Sequence, residues 1–309
     1  MQNFEKSLQK SLEHLESFGK LHFTSKQLFY EFCRNQSSPI GLEVKTAATL
    51  FGLSAIPAMI FAKEKPKNAL GLLVASAFAF GALAISRQIP RTLSPTISWN
   101  VFRGNLFDYL QNIEINGLLK IEKYVKFSDK APADLTLYGL PKLLICERCE
   151  IAQMLRANQF HLQTSCGILS VREANPLNKN IQKMLSGAEE PQVFFLHDAS
   201  LQSFAMIPKL RQTLALKAEI PFRPLGLRPI HARRLHLFAQ KNVAPNNDFA
   251  EIDYLDENEK TWLKNGFMAE VSAVSPIRLL RVLRRLILGV EIPTNSFQNT
   301  LPQRNLGFM

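Results

Sequence analysis

The sequence predicts an α/β protein: a parallel-sheet domain preceded by an N-terminal helical element and a two-helix transmembrane hairpin. Two uncharged apolar runs lie back to back at 46–62 and 69–86. From Lys142 onward short apolar strands alternate with segments of helical periodicity, the pattern of a parallel sheet with its functional edge at the strand carboxyl ends. Ahead of both, apolar residues recur at helical spacing in two short segments. The expected divisions are a helical element at 1–38, the hairpin at 44–87, a linker with a helical stretch at 88–137, the α/β domain at 138–290 and a flexible tail at 291–309.

In the first element Phe4, Leu8, Leu12, Leu15 and Phe18 mark an amphipathic helix that Gly19 is placed to end. Thr24-Ser-Lys-Gln27 reads as a capping box opening a second helix through about Arg34, with Leu28, Phe29 and Phe32 turned to its partner. Helix, turn and helix suits a small helix-turn-helix element or a plain helical hairpin.

Each apolar run has roughly 17–18 residues, the lower limit for crossing a ~30 Å hydrocarbon core. Both are rich in Ala, Gly and Ser, which lets helices approach closely, and Lys63-Glu-Lys-Pro-Lys-Asn68 forms the turn between them. The expectation is attachment to a membrane bilayer, with the basic domain facing the cytosol. Arg87 and Arg91 favour a cytoplasmic C-terminal flank, but the three turn lysines would keep the turn inside as well, and a shallow, non-crossing hairpin would satisfy both. No apolar segment follows the N-terminus, so no cleavable signal peptide is expected.

Residues 88–137 carry Pro90, Pro95 and Pro132 and a helix near Trp99–Leu110. In the α/β domain Leu143–Cys146 and Gln192–Leu196 read as buried strands. Glu150–Phe160 and about Leu201–Leu216 read as the helices after them.

Apolar content of 46% and charged content of 20% over 309 residues are ordinary for a globular chain and exclude wholesale disorder. The net charge of +11 is not ordinary, and favours a polyanionic partner, nucleic acid or anionic lipid. Four scattered cysteines are too few for a disulfide framework. Cys146-x-x-Cys149 with His161 and Cys166 approaches a zinc-ligand spacing, but a strand ending at Cys146 predicts that this thiol is buried, away from the surroundings of Cys149.

Two acids stand past the strand ends: Glu147 after Leu143–Cys146, and Asp198 two residues after Leu196. Parallel topology would bring them together, as in an oxygen-ligand Mg²⁺ site. The order of motifs goes further. Ile145-Cys-Glu147 before a helix, Gln163-Thr-Ser-Cys-Gly167, Phe195-Leu-His-Asp198-Ala-Ser200, Arg223-Pro-Leu-Gly-Leu-Arg-Pro229, Asp256–Gly266 and Ala269-Glu-Val-Ser-Ala273 together resemble a TOPRIM domain. Within that group they are similar to the A subunit of type IIB topoisomerase (topoisomerase VI) and its meiotic double-strand-break relatives. Lys26-Gln-Leu-Phe-Tyr30 looks like the winged-helix segment that carries the family's nucleophilic tyrosine.

The resemblance implies that Tyr30 would attack a DNA phosphodiester, with Glu147 and Asp198 holding Mg²⁺. The sequence departs from the pattern where it matters. The second Asp of the family's Asp-x-Asp is Ser200, a neutral and poorer ligand, and the next Gly position is Ser203. Neighbouring Arg148 and His197 add no compensating negative charge.

Two basic patches complete the list. Eight Lys or Arg residues between Lys209 and Lys241 face a single acid, Glu219; Arg211, Arg223, Arg228, Arg233 and Arg234 are the candidate phosphate contacts, for nucleic acid or lipid. Arg278, Arg281, Arg284 and Arg285 sit among Leu279, Leu280, Leu283, Leu286 and Ile287, a basic amphipathic helix suited to a membrane surface or to core packing with snorkelling arginines. The leading expectation is a membrane-tethered, degenerate TOPRIM-like protein associated with DNA, with a homodimer also admitted. The alternatives are a Mg²⁺-dependent DNA-cleaving enzyme using Glu147 and Asp198, with or without Tyr30, and a membrane scaffold binding anionic lipid or a protein.

Overall fold

The computed structural model describes residues 2–36, 92–119, 140–241 and 254–289. Its centre is a four-stranded, all-parallel sheet of β1 (Lys142–Cys146), β2 (Cys166–Ser170), β3 (Gln192–Leu196) and β4 (Phe222–Pro224), in the order β2-β1-β3-β4. Cys146 aligns with Ser170 on one side and Leu196 on the other, so the two central strands end level.

Near-continuous apolar strands need cover on both faces, and both are covered. Leu143, Ile145, Val193 and Phe195 point to one side, against α6 (Val171–Ala174), α7 (Asn178–Ser186) and α8 (Leu201–Thr213). The alternate residues, Leu144, Cys146, Phe194 and Leu196, join the larger core on the other side. That core is shared by α4 (Cys149–Ala157), α5 (Phe160–Thr164) and α11 (Pro276–Leu288). It also includes the N-terminal pair α1 (Gln2–Glu16) and α2 (Ser25–Gln36), and α3 (Trp99–Leu110). The N-terminal helices are therefore packed into the α/β core rather than held apart from it.

Local sequence explains the joints. The Thr24/Gln27 capping box forms in both directions, at 3.0 and 3.1 Å, and Gly19 leaves α1 with φ +86°. Phe23 bridges residues 117–119, donating its N–H to the Gly117 carbonyl at 2.9 Å and accepting from Leu119 N–H at 2.9 Å. Gly117 has φ +76°, and a Cβ there would lie 2.2 Å from the Leu21 carbonyl oxygen, so only glycine fits. The remaining elements are α9 (Pro229–Arg234), β5 (Gln240–Lys241), α10 (Glu257–Lys264) and β6 (Phe267–Met268), then a 3₁₀ turn at Val271–Ala273. β5 and β6 pair antiparallel.

The expected fold class is corrected in one respect. The α/β architecture stands, but the transmembrane hairpin is not supported: among the described residues no helix is long and apolar enough to cross a membrane. The longest, α1, has 15 residues, about 22 Å at 1.5 Å per residue, and carries a polar face. Residues 44–87, like the 291–309 tail, lie outside the described residues.

Candidate functional site

The carboxyl ends of β1 and β3 carry the acids that the sequence singled out. Glu147 N–H continues the ladder by donating to the Leu196 carbonyl at 2.9 Å, which fixes Glu147 beside the Asp198 backbone. Glu147 Oε2 accepts the Asp198 N–H at 2.9 Å, and Oε1 accepts the Ser203 hydroxyl at 2.9 Å. Ser200 is the N-cap of α8, its Oγ accepting the Ser203 N–H at 3.1 Å. The residue in the expected second-Asp position thus serves a helix end.

A short antiparallel bridge brings in the other half of the site. Ala199 and Ala269 exchange backbone hydrogen bonds at 2.9 and 3.0 Å, which places Glu270 and Val271 against Asp198. Val271 N–H donates to Asp198 Oδ1 at 2.7 Å. Arg148, at the N-cap of α4, reaches Asp198 Oδ2 through Nε at 2.7 Å and Glu270 Oε1 through a terminal nitrogen at 3.2 Å. From α2, Lys26 Nζ donates to both Glu270 oxygens at 2.6 and 2.9 Å, and the Tyr30 hydroxyl donates to Oε2 at 2.9 Å. Gln240 on β5 donates its amide to the Tyr30 oxygen at 3.0 Å. Five chain segments meet in one polar network.

The electrostatics follow from burial. The Asp198 carboxyl is pushed up to about 7, first by burial, against the lowering influence of Arg148 and with help from Glu147 and Glu270. Burial would lower Arg148, but Asp198 and then Glu270 hold it above the usual guanidinium range. The Tyr30 phenol is raised beyond its ordinary range by burial, then by the charge of Glu270 and the hydrogen bond to it. Its ring is 1% exposed and stacks on Phe238 at 5.6 Å. His197, lowered to about 4 by burial, stays neutral and donates Nδ1–H to the Asp198 carbonyl at 2.8 Å. Gly226 makes room for it, since a Cβ there would lie 2.2 Å from the imidazole.

The structure brings Tyr30, Glu147 and Asp198 into one neighbourhood, yet the donor set does not fit a divalent cation. Both oxygens of Glu147 and both of Asp198 accept hydrogen bonds from the chain itself. Arg148 bridges Asp198 and Glu270, where an ion shared by these carboxylates would have to lie. A hard cation needs several oxygen ligands at close range; here Asp198 and Glu270 turn toward a guanidinium and an ammonium, and Glu147 toward a backbone N–H and a serine hydroxyl. Among the described residues no group of three His, Cys, Asp or Glu side chains could hold a metal. The zinc reading meets the same finding. All four cysteines are free, and in the β1–β2 register Cys146 aligns with Ser170 while Cys166 aligns with Lys142, at the opposite end of the strand pair. Burial pushes both thiols up, Cys166 to about 12.

The patch at 209–241 is less open than its charge count suggests. Arg228 forms a forked, largely buried pair with Glu259. Arg211 donates to the carbonyls of Lys217 and Ala218 at 3.3 and 3.2 Å, and Arg233 to that of Asn258 at 3.2 Å. Arg223 and Arg234 are exposed. Arg278, Arg281, Arg284 and Arg285 line the outer face of α11, whose Leu279, Leu283 and Ile287 are buried.

Lys26, Arg148, Glu270 and Gln240 are the network members that sequence reasoning did not assign. Glu270 left a signal: it is a lone acid inside Phe267-Met-Ala-Glu-Val-Ser-Ala-Val274, and a charge within an apolar segment is buried only when paired. No family model, curated protein or solved structure matches the chain.

Proposed function

We propose that this chain is a TOPRIM-like, nucleic-acid-associated protein whose acidic site has become an internal ion-pair hub and no longer performs strand cleavage. The observation that carries this reading is Arg148, bridging Asp198 and Glu270 at the strand ends where a metal-dependent site would keep its carboxylates open. Lys26 and Ser200 support it, the first as a second built-in cation, the second as a helix cap in the position of a missing carboxylate. The parallel sheet with acids past its two central strands supports the TOPRIM resemblance itself. Tyr30 fits a positioning role: its hydroxyl gives one hydrogen bond and receives another while the ring is buried, so a phosphodiester has no path to the oxygen without the network opening. The net charge of +11 supports a polyanionic partner.

The test is binding of full-length protein to labelled duplex DNA across a salt series, with Mg²⁺ and with EDTA. The reading expects affinity that falls steeply with salt and does not depend on Mg²⁺. Affinity that requires Mg²⁺, or no binding at low salt, would overturn it.

A further inference from the structure

The four arginines of α11 are the most concentrated unneutralised charge among the described residues. All are exposed, and the helix Pro-Ile-Arg-Leu-Leu-Arg-Val-Leu-Arg-Arg-Leu-Ile-Leu contains no acid. None of them enters an ion pair among the described residues. The segment α5, which packs on α11, also lacks an acid, and Lys142 adds charge at the far end by donating to the Ile287 carbonyl at 2.9 Å. On α2, Glu31 is buried and already paired with Arg34 and His14. Arg278, exposed yet partly covered, is lowered first by that burial and then by the like charges of Arg34 and Arg281.

The other face of the helix is committed. Pro276, Leu279, Leu283 and Ile287 are buried, and Leu280, Val282 and Leu286 pack against the same core. No apolar stripe is left to enter a bilayer, so the arginines act as a fixed rigid row rather than as the polar side of an inserting helix. Arg278, Arg281 and Arg285 follow i, i+3, i+7 spacing along one line, with Arg284 beside it. From Arg278 to Arg285 the row spans roughly 10.5 Å at 1.5 Å per residue. One phosphate per 3.4 Å of duplex axis on each strand puts roughly three phosphates along that length.

We propose that the arginine face of α11 is the surface that holds the phosphate backbone of a duplex nucleic acid; this rests on the reading of the protein as nucleic-acid-associated. The row carries no base-reading amides and no aromatic stacking platform, so the contact is tolerant of sequence. It takes precedence over the 209–241 patch because there Arg211, Arg228 and Arg233 are engaged within the chain, whereas here no guanidinium has an ion-pair partner among the described residues.

Fluorescence anisotropy with a labelled DNA duplex separates the outcomes. Full-length protein is compared with R281Q/R284Q/R285Q and with K209Q/R223Q/R234Q, a control that removes the same charge from exposed positions elsewhere; circular dichroism checks that each is folded. Loss of three phosphate contacts should reduce the slope of log K against log salt by roughly 2.7 for the helix variant, with a much smaller change in the control. An equal loss in both would mean that net charge alone drives binding, and loss confined to the control would relocate the surface; either overturns the proposal while leaving the nucleic-acid reading intact. No binding by the unmodified protein would instead overturn that reading. If the unmodified protein ignores DNA but binds phosphatidylserine vesicles through these arginines, the partner is a lipid surface and the proposal falls.

Discussion

Replacing Arg148 with alanine would leave the Asp198 and Glu270 carboxylates facing each other without the guanidinium between them. Their side chains are 1% and 5% exposed, against 31% for Arg148. Breaking a buried pair from one side costs about 3–5 kcal/mol, and the partial exposure of Arg148 puts this case at the lower end, about 3 kcal/mol. The cost depends on pH with a definite sign. The folded-state pKa of Asp198 is already raised to about 7, so its contribution to stability is fully present below its unfolded pKa and is lost as pH rises through about 7. Removing Arg148 removes a lowering influence and raises this carboxyl further. The variant therefore loses additional stability above pH 7, and its deficit shrinks on the acid side, where Asp198 is protonated in both proteins. Urea unfolding should show a deficit of about 3 kcal/mol near pH 9 and about 1 kcal/mol near pH 5.5. A deficit independent of pH, or one below about 1 kcal/mol at the alkaline end, would refute the view that Arg148 neutralises a buried acidic site.

Tyr30→Phe removes the hydroxyl between Glu270 and Gln240 and should cost about 1–3 kcal/mol in urea unfolding, with the helical circular dichroism unchanged. Gly226→Ala would drive a methyl into the His197 ring and should lower stability by about 1–3 kcal/mol, again measured by unfolding; restored stability in Gly226→Ala/His197→Ala would locate the clash. Millimolar Mg²⁺ should leave the thermal midpoint of the unmodified protein unchanged in calorimetry, because binding to the folded state would raise it by mass action.

The two central strands, β1 and β3, were legible because they are written in local patterns. Val193–Leu196 is a fully apolar run after a charged, proline-marked turn, and the limits expected for the strand, Gln192–Leu196, agree with the structure. Trp99–Leu110 and the Thr24 cap were equally readable. Strand β2 was not: Cys166-Gly-Ile-Leu-Ser170 is five residues long and is entered through Ser165 at φ +49°, so nothing periodic announces it. Helix α7 was missed although Ile181, Met184 and Leu185 fall at helical spacing.

For the site, proximity of Glu147 and Asp198 followed from parallel topology. The chemistry of their surroundings did not, because Arg148, Lys26 and Glu270 converge through tertiary contacts separated by 122 and 244 positions. Arg148 looked in the sequence like a residue that fails to compensate for a missing acid. In the folded chain it is the cation around which the acids are arranged.

The most direct measurement is incubation of purified full-length protein with supercoiled plasmid and Mg²⁺ or Mn²⁺, beside Tyr30→Phe and Asp198→Ala, followed by electrophoresis and a search for protein-linked DNA ends. The closed ion-pair hub predicts retention of the plasmid with no nicked, linear or protein-linked product from any of the three proteins. Cleavage that disappears in Asp198→Ala, or linked ends that disappear in Tyr30→Phe, would contradict it and make the acidic site a working one.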